Sequence, residues 1–146
     1  MRYFDDLNIG DRIDTGSHTF TEEAIVAFAK QFDPQPFHVD PEAAKAYIYG
    51  GVIASGWHTA SVVMRLIVDS AIDLSASLGS PGFDDLTWKK PVRPGDTIRV
   101  RWTCTEKTPS KSRPDIGSAK FLTEVFNQHD ELIMTMTSIG LCRRRP

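Results

Sequence analysis

The fold is decided by residues 57–78, which read WHTASVVMRLIVDSAIDLSASL. Apolar side chains recur here at helical spacing, and they cover most of the circumference of the predicted helix. A helix that is apolar on most sides is buried on most sides. Because the whole chain has 146 residues, we expect this burial to come from a β-sheet that wraps around the helix.

The sequence around this helix is typical of β-strands. The cleanest pattern covers residues 97–105, where apolar residues from Ile98 to Cys104 alternate with polar ones. The predicted strands cover residues 12–20, 82–90, 97–105, 119–127 and 131–141. This order indicates an α+β fold, in which an antiparallel sheet curls around one long central helix. Because such a sheet leaves one face and its edges open, we expect a homodimer or a higher homo-oligomer.

Two short helices are predicted between the first strand and the central helix. Thr21 is a suitable N-cap for the first, which ends at Asp33-Pro34. Asp40-Pro41 predicts the start of the second, with the cap residue followed by proline in the first turn. We expect this second helix to run to Tyr47, before Gly50-Gly51.

Composition indicates one domain over residues 1–146. The net charge is −2 and the apolar content is 40%, so we expect neither nucleic acid nor a membrane as partner. The N-terminus lacks the apolar segment of a signal peptide, and the two cysteines predict no disulfide framework, which favours the cytoplasm. The basic run Arg143-Arg144-Arg145 is predicted to be a solvated tail rather than an anion-binding contact.

A second informative stretch is FDPQPFHVDP, residues 32–41. It places the Asp33 carboxylate and the His38 imidazole five residues apart, with a proline on each side of Gln35. Proline restricts its own backbone and that of the preceding residue, so we expect a stiff, non-helical connector. A carboxylate and an imidazole held near one substrate atom can perform acid–base catalysis.

These stretches together resemble the MaoC-like dehydratases, the (R)-specific enoyl-CoA hydratase group of the hotdog superfamily. The family motif reads roughly Gly-Asp-x-Asn-Pro-(Ile/Leu/Val)-His, and Asp33, Pro36 and His38 match it. The runs GGVIASG at residues 50–56 and KPVRPGDT at residues 90–97 also resemble the family, and the resemblance covers nearly the whole chain. Three positions depart from the pattern, namely Phe32, Gln35 and Ser55.

The resemblance implies a hotdog fold and a hydro-lyase activity. The reaction is the reversible hydration of a trans-2-enoyl thioester to an (R)-3-hydroxyacyl thioester, a step of fatty acid metabolism. Asp33 is then the base that acts on water, while His38 orients the water and helps to protonate C2. Because the N-terminus of the central helix offers unpaired N–H groups, Gly56 is the expected donor to the thioester oxygen.

The expected partner is an acyl thioester of coenzyme A or of an acyl-carrier protein, with no other cofactor. The acyl pocket is predicted to be apolar and to lie at a subunit interface. Lys89, Lys90 and Arg93 are candidates for contacts with phosphate, although solvation of a strand edge is also open to them. Ser55 is a candidate for substrate binding, although capping of the helix is also open to it. The predicted pocket walls are Phe28, Phe32, Phe37 and Tyr47.

Three other interpretations remain open at this point. A hotdog thioesterase also holds a carboxylate near a helix start, and a non-catalytic acyl-thioester-binding protein accommodates the departures at Gln35 and Ser55. A metal site would combine His58 with Asp33 and His38. We expect no metal, because the spacing is arbitrary and the hydration needs none. Trp57 is expected in the core or at an interface rather than against substrate.

Overall fold

The computed structural model describes residues 3–146. In this part of the chain a five-stranded antiparallel sheet has the order β1-β3-β4-β5-β2. The strands are β1 (Arg12–Thr19), β2 (Gly82–Trp88), β3 (Thr97–Pro109), β4 (Ile116–Phe126) and β5 (Leu132–Arg143). The helices are α1 (Glu22–Phe32), α2 (Pro36–Val39), α3 (Pro41–Ala44) and α4 (Gly56–Ser70). The predicted α+β architecture, a sheet around one long helix, is confirmed.

The core lies between α4 and one face of the sheet. Alternate residues of β3, from Ile98 to Cys104, are buried, as their sequence alternation predicts. They pack in one cluster with Val63 and Ile67 of α4. No helix of the described residues is long and apolar enough to cross a membrane.

The prediction that α4 extends to Leu78 was wrong, because the helix ends at Ser70. Beyond it the Asp73 carboxylate accepts hydrogen bonds from the backbone N–H and the hydroxyl of Ser75, at 2.9 and 2.6 Å. Asp73 thus stabilises a turn that competes with the helix. The apolar residue Ala76 beyond the turn is buried in a separate small cluster with Phe4 rather than on a face of the helix.

The prediction of a non-helical connector was also wrong, because Pro36–Val39 forms the one-turn helix α2. Pro36 is the first residue of the turn, where its φ fits and its missing N–H is not needed. The Gln35 carbonyl accepts hydrogen bonds from His38 and Val39. The restriction on the residue before proline is met at Gln35, which is extended. The helix predicted to reach Tyr47 is likewise shorter and ends at Ala44.

The basic C-terminal run is not a free tail, contrary to the prediction. Arg144 bonds through Nη2 to Asp5 Oδ1 at 2.7 Å, and Arg145 pairs with Asp6. These contacts fasten the end of the chain to a short 3-10 helix at Phe4–Asp6. The hydrogen bond from Arg144 is the main reason why the pKa of Asp5 is lowered from 3.8 to about 2.

We predict that the pairing of the termini stabilises the fold above about pH 4 and fails on acidification. A lowered folded-state pKa means that the contribution is complete above the unfolded value of 3.8 and disappears as the pH falls through about 2. Urea unfolding of wild type and Asp5→Asn between pH 7 and pH 2 measures it. The wild type should be more stable at pH 7, with the difference vanishing near pH 2. A difference independent of pH would refute the assignment.

Candidate active site

Asp33 lies at the C-terminus of α1, where the chain leaves the helix. Its backbone N–H still donates to the Ala29 carbonyl at 2.8 Å, while its own φ and ψ are no longer helical. Pro34 follows, and the α region is disfavoured for a residue before proline. The helix therefore stops here, and the carboxylate turns toward the start of α4.

His38 lies in α2 and is buried. Its Nδ1 is 2.7 Å from the carbonyl oxygen of Ile53. Since a carbonyl can only accept, Nδ1 carries the hydrogen and Nε2 is the nitrogen that remains for proton exchange. Nε2 lies 3.3 Å from Oδ2 of Asp33. The sequence separation of five residues therefore does bring the two groups face to face.

Two further side chains hold the Asp33 carboxylate. The hydroxyl of Ser55 donates to Oδ2 at 2.7 Å, and the side-chain amide of Gln35 donates to Oδ1 at 2.7 Å. Both residues are departures from the family motif that was recognised in the sequence. Here both serve the same carboxylate, and Ser55 also caps α4 by accepting from the Trp57 N–H at 3.3 Å.

The pKa of Asp33 is lowered below its ordinary value of 3.8. Partial burial acts in the opposite direction and raises it, but the hydrogen bonds from Gln35 and Ser55 and the charge of His38 together outweigh burial. The carboxylate is therefore ionised at neutral pH, as a group that accepts a proton from water must be.

Asp33 and His38 line a cavity of about 450 Å³ at the start of α4. Its other walls are mostly apolar or aromatic. Polar groups enter from Thr59 on α4 and from Lys89 and Lys90 after β2. The remaining lining residues are Phe37, Tyr49, Ile53, Ala54, Gly56, Trp57, Trp88, Pro91 and Val92. An apolar cavity with a few convergent polar groups is the usual form of a small-molecule site.

Gly56 is the first residue of α4 and lines the same cavity. The N–H of a first helical residue has no partner within its own helix. Among residues 3–146 no acceptor contacts this N–H. The residues that line the cavity therefore include a carboxylate, an imidazole and a glycine whose backbone donor is free.

The sequence matches the MaoC like domain over residues 6–125. The chain belongs to this family. A crystal structure of the MaoC-like dehydratase from Rhodospirillum rubrum is 43% identical, with a TM-score of 0.92 over 99% of this chain and 98% of that one. The described architecture is thus the hotdog fold of MaoC-like proteins, as the sequence predicted.

Two proteins with similar sequences are a hydratase and a larger MaoC protein. The (R)-specific enoyl-CoA hydratase of Rhodospirillum rubrum is 31% identical over 116 residues, which cover 76% of this chain and 75% of that one. Protein MaoC of Klebsiella aerogenes is 35% identical over 113 residues. This match takes 77% of the present chain but only 33% of protein MaoC, so the chain corresponds to about a third of that larger protein.

Several residues predicted to bind substrate lie elsewhere. Phe32 is 65% exposed, and Tyr47 packs edge-on against Phe37, which itself lines the cavity. Arg93 donates from Nη1 to the Tyr49 carbonyl at 2.6 Å. None of these three lines the cavity of the single chain, whereas Phe37, Ser55 and Lys90 lie at or beside it. Their roles in binding stay predictions.

His58 does not join the candidate site. Its ring stacks on Phe28 at 4.7 Å between centroids and meets Phe20 edge-on. Burial is the first cause that lowers the pKa of His58, followed by the charge of His18. The arrangement of His58 with Asp33 and His38 around one metal ion is therefore not formed. Phe28 is a neighbour of His58 rather than a wall of the cavity.

The main residues that the sequence did not reveal are Trp57, Trp88 and Tyr49. Each had a local signal, because Trp57 follows Gly56, Trp88 precedes two lysines at a strand end, and Tyr49 precedes the glycine pair. None of these signals shows by itself that the side chain faces a cavity. Only the packing of β2 beside α4 brings the two tryptophan rings together, 5.2 Å apart.

We predict that loss of either donor raises the pKa of Asp33. Gln35→Ala removes the hydrogen bond to Oδ1, and Ser55→Ala removes the one to Oδ2. In each variant fewer hydrogen bonds lower the pKa, while burial still raises it. The carboxyl carbon of Asp33 followed by NMR titration reports the change. Ser61→Ala is the matched control, because its hydroxyl bonds the Trp57 carbonyl on the exposed side of α4. An unshifted titration in both variants would contradict the account.

Proposed function

We propose that this protein catalyses the reversible hydration of a trans-2-enoyl thioester to an (R)-3-hydroxyacyl thioester. The observation that carries the proposal is the pair formed by Asp33 and His38, whose Oδ2 and Nε2 atoms are 3.3 Å apart at the wall of an apolar cavity. Two acid–base groups next to a free helix N-terminus are what this addition requires.

The two groups divide the proton transfers between them. The water oxygen forms a bond to C3 while the C2=C3 double bond is lost. Asp33, which is ionised, accepts the proton that the water releases. Nε2 of His38 accepts a hydrogen bond from the water, then receives the proton from Asp33 and delivers it to C2. Since one proton leaves water and one reaches C2, the pair returns to its starting state after the proton passes across the 3.3 Å gap.

The thioester oxygen gains negative charge as C3 is attacked, and Gly56 offers the donor. Its N–H points out of the first turn of α4, where the partial positive charge of the helix is concentrated. Fixed donors of this kind act only as charge develops, and losing one lowers rates by about 10²–10³ in a measured case. Gly56 is thus assigned the stabilisation of the enolate oxygen.

The relatives support this choice of reaction. The enoyl-CoA hydratase of Rhodospirillum rubrum shares 31% identity over most of both chains, and this resemblance leads us to favour coenzyme A as the carrier. Lys89 lines the cavity, and none of residues 3–146 forms an ion pair with its ammonium group, whereas Lys90 pairs with Glu131. Lys89 is therefore the best placed of the predicted phosphate contacts.

We further propose that the working unit is a homodimer. Phe83 on the edge strand β2 is 56% exposed, and Trp57 and Met64 lie seven residues apart on the same face of α4, 58% and 47% exposed. A monomer rarely leaves so much apolar surface in water. A second copy that covers this face would also close the cavity beside Trp57 and Trp88.

A non-catalytic acyl-thioester-binding protein and a thioesterase are the alternatives, and one assay separates them from a hydratase. Loss of enoyl absorbance is followed for trans-2-enoyl-CoAs from C4 to C12, with branched and carboxylated members. A thioesterase releases free thiol instead. A binding protein retains the ester without turnover.

We predict that Asp33→Asn lowers kcat/KM at least about a thousandfold, since acid–base catalysis and positioning are lost together. The measurement is the same enoyl-CoA hydration assay for wild type and variant. Asp40→Asn is the matched control, because this nearby aspartate caps α3 outside the cavity and asparagine can cap as well. Equal activity of Asp33→Asn and wild type would sink the site assignment.

We predict a mass of twice 16.3 kDa by light scattering. Phe83→Asp should shift the protein toward monomer, because it places a charge in the proposed interface. Ile9→Asp should not, since Ile9 is exposed in the turn before β1, which is the other edge strand of the sheet. A monomeric wild type, or dissociation by Ile9→Asp alone, would exclude this interface.

A further inference from the structure

Position 56 is glycine because the indole ring of Trp88 occupies the space that a side chain would need. A Cβ placed on Gly56 would lie 2.5 Å from Cε2 and 2.7 Å from Cζ2 of Trp88. Such distances are far inside van der Waals contact. The backbone does not require glycine there, because the residue is helical and its φ is not positive. The indole of Trp88 is therefore what excludes a side chain.

The chain fixes Trp88 firmly in this place. It is the last residue of β2 and pairs with Met134 of β5. Directly after it, the N–H groups of Lys89 and Lys90 both donate to the Ile133 carbonyl, at 2.8 and 3.2 Å. The indole also meets Trp57 edge-on, with the ring planes 85° apart. An Ala at position 56 would thus push against a ring that is held by the sheet.

Trp88 forms a wall between the cavity and the surface. It lines the cavity together with Gly56 and is 41% exposed in the single chain, so one side of the indole covers the start of α4 while the rest faces outward. The covered atom, Cα of Gly56, is bonded to the nitrogen whose N–H is free. A hydrogen bond to developing charge is stronger where bulk water is excluded.

We propose that Trp88 is a positioning residue for the Gly56 N–H. Its indole shields this donor from water and fixes the first turn of α4, and position 56 is glycine to admit the ring. The catalytic part of this inference rests on the proposed hydration. The steric part does not, because it concerns two residues of the folded chain and is measured by stability.

The steric part is tested by thermal unfolding of Gly56→Ala, Trp88→Ala and the double variant. Glycine to alanine in a helix is normally stabilising, yet Gly56→Ala should lower Tm by about 5 °C through overpacking. In the double variant alanine at 56 should no longer be harmful, so its Tm should equal or exceed that of Trp88→Ala. Gly51→Ala is the control, because a Cβ there meets nothing within 4 Å. Additive effects of the two changes would overturn the steric pair.

The catalytic part is tested by steady-state hydration with the best enoyl-CoA. Trp88→Ala should lower kcat at least about tenfold with KM changed less than about threefold, because the donor acts mainly in the transition state. Trp88→Phe, which keeps an aromatic wall, should recover most of the loss. Gly56→Ala should be slower still, and adding Trp88→Ala should bring it back to the rate of Trp88→Ala alone.

Failure of this inference and failure of the proposed function have different signatures. If wild type hydrates no enoyl thioester, the proposed function is wrong. The Tm values of the two single variants and the double variant still show whether the Trp88 ring excludes a side chain at position 56. If wild type is active and Trp88→Ala keeps its kcat, or changes only KM, the positioning role is wrong and the function stands. Lack of rescue by Trp88→Phe would also count against shielding.

Discussion

The hydroxyl group of Ser55 connects the start of α4 to the carboxylate of Asp33, and the candidate site depends on this connection. Ser55 caps α4 by accepting from the Trp57 N–H and donates to Oδ2 of Asp33 at 2.7 Å. The start of the long helix and the end of α1 are thus held to the same atom. Because Ser55 is fully buried, both of these hydrogen bonds are shielded from competing water. The position of Asp33 relative to the start of α4 follows from this junction.

The junction works because the segments around it are also fixed by their backbones. Ile53 donates to the Phe37 carbonyl and accepts from the ring of His38, while Ala54 donates to the Val92 carbonyl. The segment before α4 therefore lies between α2 and the loop after β2. This arrangement keeps His38 in one tautomer and one orientation. It also leaves the carboxylate of Asp33 as the only group that faces Nε2 among the described contacts.

The electrostatics of the site follow from the same contacts. Burial alone would raise the pKa of Asp33, but Gln35, Ser55 and His38 all favour its ionised form and lower it. A carboxylate held by several donors is a weaker base than a free one, so the proposed chemistry depends on where the carboxylate is held more than on its basicity. The free N–H of Gly56 and the ring of Trp88 belong to this positioning.

The sequence by itself determined the class of the fold and pointed to the pairing of Asp33 with His38. Alternation in residues 97–105 and the apolar run of α4 are local patterns with fixed geometric meaning, and Asp33 and His38 carry a recognisable motif. The helix ends were predicted less well. An apolar periodicity continues past Ser70, while the stop comes from the turn at Asp73, and Pro36 begins a helical turn as readily as it prevents one.

Only the tertiary structure decided which other side chains surround the pair. Phe32 is close to Asp33 in sequence yet lies in solvent, whereas Trp88, 55 residues from Asp33, lines the cavity. The reason is physical: contacts between β2 and α4 depend on the order and twist of the strands, which no local pattern encodes. The same holds for position 56, where the sequence shows a glycine and the fold shows the ring that requires it.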